Sequence, residues 1–174
     1  MELVNGTDPI LKEALRPYNF NSPIADIEEE MHEIRKSGGG VGLAANQVGL
    51  NVRVLVIGMG GLETKGVEDF EMSFFNPFIT EYSEKTEMMV EGCLSFPDLF
   101  FKIKRPSDIA IRYYDAEGNS KFERFTGAVS RIIQHEVDHL DGITFENRCH
   151  PLHRSRGYKE LKQLTRMKKK MDNS

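Results

Sequence analysis

The stretch Gln134-His135-Glu136-Val137-Asp138-His139 constrains this chain more than any other. It reads His-Glu-x-x-His, and on a helix His135 and His139 lie one turn apart, separated by roughly 40° around the axis. Both imidazoles can therefore reach one metal ion, and Glu136 projects beside them, where a carboxylate can take a proton from metal-held water. The flanks predict the helix. Ala128, Val129, Ile132, Ile133, Val137 and Leu140 form a wide apolar arc, while Ser130, Arg131, Gln134, Asp138 and Asp141 fill the polar remainder. Gly127 precedes the run, and Gly142 stands where a C′ glycine would end it. An amphipathic helix with two surface histidines would read the same way, so a third ligand has to be sought elsewhere.

With 174 residues, the chain is long enough to bury one core without staples. Two cysteines, Cys93 and Cys149, make no disulfide framework and point to a reducing, cytoplasmic setting; an organellar chain stripped of a transit peptide would look alike. No apolar run approaches the ~18 residues of a membrane span. The net charge of −4 argues against nucleic-acid specificity. It conceals a basic end: from Arg154 onward there are eight lysines or arginines against two acidic residues, leaving about −10 for the rest.

Along the chain, Thr7-Asp8-Pro9 opens a short helical stretch to Leu15. Ser22-Pro23 starts a longer helix carrying Ile24, Ile27, Met31 and Ile34 and closed by Gly38-Gly39-Gly40. His32 on that helix reads as a surface residue, not a ligand. The run Gly40-Val41-Gly42-Leu43-Ala44-Ala45-Asn46-Gln47 lacks a Gly-Lys-Ser/Thr ending and lies between a helix and a strand, which excludes both nucleotide-loop readings. Strands are expected at 52–57, 70–82, 86–90, 100–103, 108–114 and 121–126, the last pair joined by a turn at Glu117-Gly118-Asn119, with a glycine-rich loop at 58–66. This pattern predicts an α+β fold. Antiparallel β-sheets pack around a central metal-binding helix, with an N-terminal helix and a C-terminal helical tail. Residues 1–150 form the catalytic domain and 151–174 the basic tail, helical from Tyr158 to Met171.

Glu91-Gly92-Cys93-Leu94-Ser95 supplies a candidate third ligand. One thiolate and two imidazoles give three protein ligands with a fourth position open, as in a catalytic ion site. Cys93 could equally be a buried apolar thiol, and Cys149 competes on reach, although it sits among polar loop residues.

Together, the runs 40–47, 91–95 and 134–140 resemble the three signature motifs of peptide deformylase, in that family's order and at about its spacing. The resemblance covers roughly residues 1–150. It implies hydrolysis of the formyl group from the N-terminal formyl-methionine of new polypeptides. Cys93, His135 and His139 would be metal ligands, Glu136 the general acid/base, and Gln47 with the Leu94 N–H the oxyanion donors. It favours Fe2+ as the native ion, with Zn2+, Ni2+ or Co2+ able to replace it in purified protein. Val41, Gly42, Met89, Glu91 and Ile132 would meet the substrate. Asp138 would pair with Arg105, and the basic tail would either contact the ribosome or merely solubilise. One departure stands out: many members carry an arginine a few residues after the cysteine motif, where this chain has Leu99-Phe100-Phe101. Two other readings compete. A zinc peptidase would draw its third ligand from Glu146, His150 or His153, and a metal-stabilised binding module would need neither Glu136 nor Gln47.

Overall fold

The computed structural model describes residues 1–59 and 70–172; the glycine-rich loop expected at 58–66 lies almost wholly outside them. A single 3-10 turn at Pro9–Lys12 is capped by the Asp8 side chain on the Ile10 N–H. Helix α1 (Ile27–Ser37) follows, then β1 (Gly42–Ala44), a 3-10 turn at Ala45–Val48, and β2 (Val54–Gly58). Strands β3 (Glu71–Tyr82), β4 (Thr86–Cys93), β5 (Phe96–Pro106), β6 (Asp108–Tyr114) and β7 (Ser120–Thr126) come next. Helices α2 (Gly127–Leu140), α3 (Phe145–Arg148) and α4 (Pro151–Asp172) complete the chain.

Five strands form one antiparallel sheet in the order β1-β2-β3-β6-β7, and β4 and β5 form a separate hairpin. Ile133, Val137 and Leu140 of α2 join the strand residues Leu43, Val56, Phe74 and Ile111 in the main core. A smaller cluster of Leu99, Phe101, Ile103, Phe145 and Cys149 lies under the hairpin. Strand β5 alternates cleanly: Leu99, Phe101, Ile103 and Arg105 point inward, and Phe100, Lys102 and Lys104 outward. The α+β expectation of helices and antiparallel sheet with a C-terminal helix holds.

The polar arc of α2 departs from the amphipathic reading. Ser130, Arg131, Gln134 and Asp138 are all buried, because the β4–β5 hairpin covers that face with polar partners of its own. A helix buried all round can carry charge only when every charge is matched. Its end does follow the sequence reading: Gly142 sits at φ +70°, and a Cβ there would also press on the Lys12 carbonyl.

Other boundaries move. Helix α1 begins at Ile27, after Asp26 in a left-handed conformation, and not at Ser22-Pro23. His32 is buried, its Nε2 3.1 Å from Ser73 Oγ, which corrects the surface reading. Strand β5 is longer than expected at both ends, and β4 runs on into Cys93. Helix α4 starts at Pro151, seven residues before Tyr158, with proline in the favoured first turn. Leu161 of α4 packs against the hairpin cluster. Among the described residues, no helix is long and apolar enough to cross a membrane.

Candidate active site

Three separate segments meet at one point. The β4 end delivers Cys93, α2 delivers His135, Glu136 and His139, and the turn after β1 delivers Gln47. One ligand atom each from Cys93, His135 and His139 lies within 4.8 Å of the others, the only such group among the described residues. Cys93 Sγ stands 3.3 Å from His139 Nε2. A thiolate and two imidazoles suit a divalent ion of the zinc or iron kind, with one position left for a reactant. The residues fit the implied ion.

The rival ligands fall elsewhere. Cys149 is buried in the small apolar cluster, not in a polar loop, and burial raises its thiol pKa. His153 Nδ1 faces the Lys102 carbonyl at 3.1 Å, and Glu146 accepts the Tyr158 hydroxyl.

Glu136 is buried, and its Oε2 has no hydrogen-bond partner in the structure. Burial pushes its carboxyl up to about 7, and the Glu91 charge adds to that against the opposing pull of His135. Gly42 makes the room: a Cβ there would overlap the Glu136 carboxylate.

The two histidines are driven apart. Burial alone would lower His135, but hydrogen bonds with Cys93 and Glu91 outweigh it and raise the ring to about 10. Burial, and then the neighbouring His135, lower His139 well below its ordinary value. His139 is thus neutral and ready to ligate, while His135 would release its proton to solvent on ligating a cation.

Behind His135 stands a buried ionic network. Glu91 accepts from His135 Nδ1 at 2.9 Å, from Arg105 Nε at 2.7 Å and Nη2 at 3.0 Å, and from Arg131 Nη1 at 2.8 Å. Burial opposes ionisation of Glu91, but these donors hold its carboxyl well below the usual carboxylate range. Asp138 accepts from Arg105 Nη1 at 2.6 Å and from Arg148 Nη2 at 2.5 Å, so the expected Arg105 pair is formed and has a second member.

Gln47 is nearly fully buried. Its Oε1 accepts the Ala44 N–H at 2.9 Å, which turns Nε2 toward Cys93 Sγ and Ser95 Oγ, each at 3.3 Å. Asn46, which the sequence reading passed over, donates to the His139 carbonyl at 2.7 Å. Its signal was a polar residue inside a run of small apolar ones. Arg148 gave no such signal.

A cleft of about 550 Å³ opens onto these groups. Val41, Gly42, Gln47, Leu94, His135 and Glu136 line it, with Leu99 and Phe100 along one wall. Met89 and Ile132 are half-buried outside that lining, and Glu91 lies behind His135.

The polypeptide deformylase family model matches residues 1–155. A peptide deformylase of Brachyspira hyodysenteriae is 32% identical over 162 residues, spanning 93% of this chain and 87% of that protein. The structure of peptide deformylase from Plasmodium falciparum is similar with a TM-score of 0.82 at 33% identity, covering 99% of each chain. The Met-Ala-Ser-bound class I type b peptide deformylase of Acinetobacter baumannii gives a TM-score of 0.77 at 30% identity, over 85% of this chain and 97% of that one. With a Cys-His-His group, a buried glutamate and this extent of likeness in one chain, it belongs to the polypeptide deformylase family.

Proposed function

We propose that this enzyme hydrolyses the formyl group from the N-terminal formyl-methionine of new polypeptides, with Glu136 as the proton carrier. One observation supports that role above the others: a buried carboxylate with an unpartnered oxygen beside three convergent ligand atoms. When bound by Cys93, His135 and His139, a divalent ion supplies Lewis acidity and brings the pKa of a water it holds toward ~7.

Glu136 accepts a proton as water adds to the formyl carbon, and returns it to the amine as the C–N bond breaks. Formate and a free N-terminal amine result. Charge gathers meanwhile on the formyl oxygen. The Gln47 amide, aimed by the Ala44 N–H, and the Leu94 N–H are the donors assigned to it, and losing one such donor costs on the order of 10²–10³ in rate.

Val41 and Gly42 line the cleft against the peptide, and Val41, with Met89 and Ile132 half-buried outside that lining, is assigned to the methionine side chain. The complex of the Acinetobacter relative with Met-Ala-Ser supports a peptide beginning with methionine as the occupant. Glu91 reaches the reaction only through His135. We assign Fe2+ as the native ion, whose thiolate ligand makes exposure to oxygen the practical hazard. The solvent-facing part of α4 is the surface left for contact with the ribosome.

The test is formate release from a formyl-Met tripeptide by protein purified without oxygen and loaded with Fe2+ or Ni2+. Formate in step with new amine supports the reading. Cleavage at internal peptide bonds instead would overturn it.

A further inference from the structure

Arg35 is fully buried, an uncommon place for a guanidinium, and it belongs to no part of the machinery described above. It lies on α1, where the helical spacing alone would make it one more polar residue. Its Nη1 donates to the carbonyls of Gly40 at 3.0 Å and of Gly58 at 2.9 Å, and its Nη2 meets Glu71 Oε1 at 2.5 Å. Gly58 leaves room for it, since a Cβ there would come within 2.6 Å of Nη2. One planar, permanently charged group thus ties the helix to the end of β2, to the start of β3 and to the glycine run.

That glycine run is one wall of the cleft, from Gly38 to Gly42. Its far end is held without Arg35: the Gly58 N–H donates to the Val41 carbonyl at 2.9 Å, and Gly42 is paired in the β1–β2 ladder. The Gly40 carbonyl relies on the guanidinium. The Gly38, Gly39 and Gly40 N–H groups donate to the carbonyls of Ile34, Lys36 and Arg35 at the end of α1, so the guanidinium sets the carbonyl side of this otherwise permissive run.

We infer that Arg35 is a positioning residue for the substrate, setting the Gly38–Val41 wall through the Gly40 carbonyl while leaving the Glu136 side of the site to the sheet. This rests on the cleft being the peptide site. Loss of the contact therefore weakens binding of the formyl peptide more than it slows its chemistry.

The experiment compares the parent, Arg35→Lys, Arg35→Met and Glu71→Gln as metal-loaded proteins, by steady-state kinetics on a formyl-Met tripeptide, with metal content and Tm measured alongside. For Arg35→Met, KM rises about 3–10-fold with kcat within about twofold and unchanged metal content. Arg35→Lys, a single point donor, lies between it and the parent. Should Arg35→Met not fold, Glu71→Gln decides. It weakens the outer anchor, which Arg35 shares with the exposed Lys36 and with His32, and leaves the Gly40 and Gly58 contacts in place, and KM rises about 2–3-fold. Amide exchange at residues 38–41 quickens in the same order. A lowered Tm with KM and exchange at parental values would make Arg35 merely structural and overturn the inference. An inactive parent would sink the deformylase reading instead, and the exchange data would still settle whether Arg35 holds the wall.

Discussion

The Glu91 carboxylate sits 2.9 Å behind His135 Nδ1 and is shared with two guanidiniums, so one acidic residue on β4 both orients a metal ligand and fastens the ligand helix to the hairpin. Nδ1–H donated to a carboxylate leaves Nε2 as the ligand atom and raises its basicity. The arrangement links the stability of the fold to the quality of the site.

Replacing Glu91 by Gln tests that link. It leaves Arg131 buried with a neutral partner and Arg105 with Asp138 as its remaining carboxylate, a loss of about 3–5 kcal/mol by analogy with broken buried pairs. Metal affinity falls about 10–100-fold through His135. The pH dependence has a definite sign. The Glu91 pKa in the fold is depressed below its unfolded value of 4.5, so its contribution is complete above that pH and is lost as pH falls toward the folded pKa. The parent therefore destabilises on acidification below pH 4.5, and Glu91→Gln shows a flatter acid limb. Denaturant unfolding from pH 7 down to ~3, the usual acid-denaturation range, reads both.

Cysteine identity is decided by metal stoichiometry. Cys93→Ala abolishes tight binding of the ion, whereas Cys149→Ala leaves it intact and instead costs about 1 kcal/mol or more from the small apolar cluster. Retained binding in Cys93→Ala would return the third-ligand role to another group.

Gly42→Ala places a methyl where the Glu136 carboxylate lies. The carboxylate must swing aside while the β1–β2 ladder stays formed. We expect kcat to fall on the order of 10²-fold, the scale of a roughly 1 Å misplacement, with Tm little changed. Parental turnover would show that the position of Glu136 is not critical.

Activity should rise with pH as Glu136 loses its proton. Burial pushes that carboxyl up to about 7, and a cation bound beside it pulls the value back down. The acid limb of kcat/KM thus has an apparent pKa at or below about 7. It disappears in Glu136→Gln, where any residual rate is flat across that range.

How far the sequence reveals this molecule depends on whether a feature is local. The ligand helix, its C′ glycine at 142 and the His-Glu-x-x-His geometry are set within one stretch, and they are legible. The burial of Asp138 and Arg131 is not. Its cause is Glu91, Arg105 and Arg148, brought from other elements by the hairpin and by α3. His32 and Arg35 pass for surface residues because Ser73 and Glu71, which bury and match them, lie some forty residues away on β3. Cys149 is misjudged for the same reason, since its polar neighbours in sequence hide a packing site under Phe101 and Phe145. Apolar periodicity finds an element; it says little about which face of that element meets a charged partner from elsewhere.

The most direct measurement is formate release by the parent and by Glu136→Gln at matched Fe2+ content. The proton-carrier role of Glu136 predicts turnover in the parent and a loss of several orders of magnitude in the variant, with the ion still bound by Cys93, His135 and His139. Equal rates in the two proteins would contradict it.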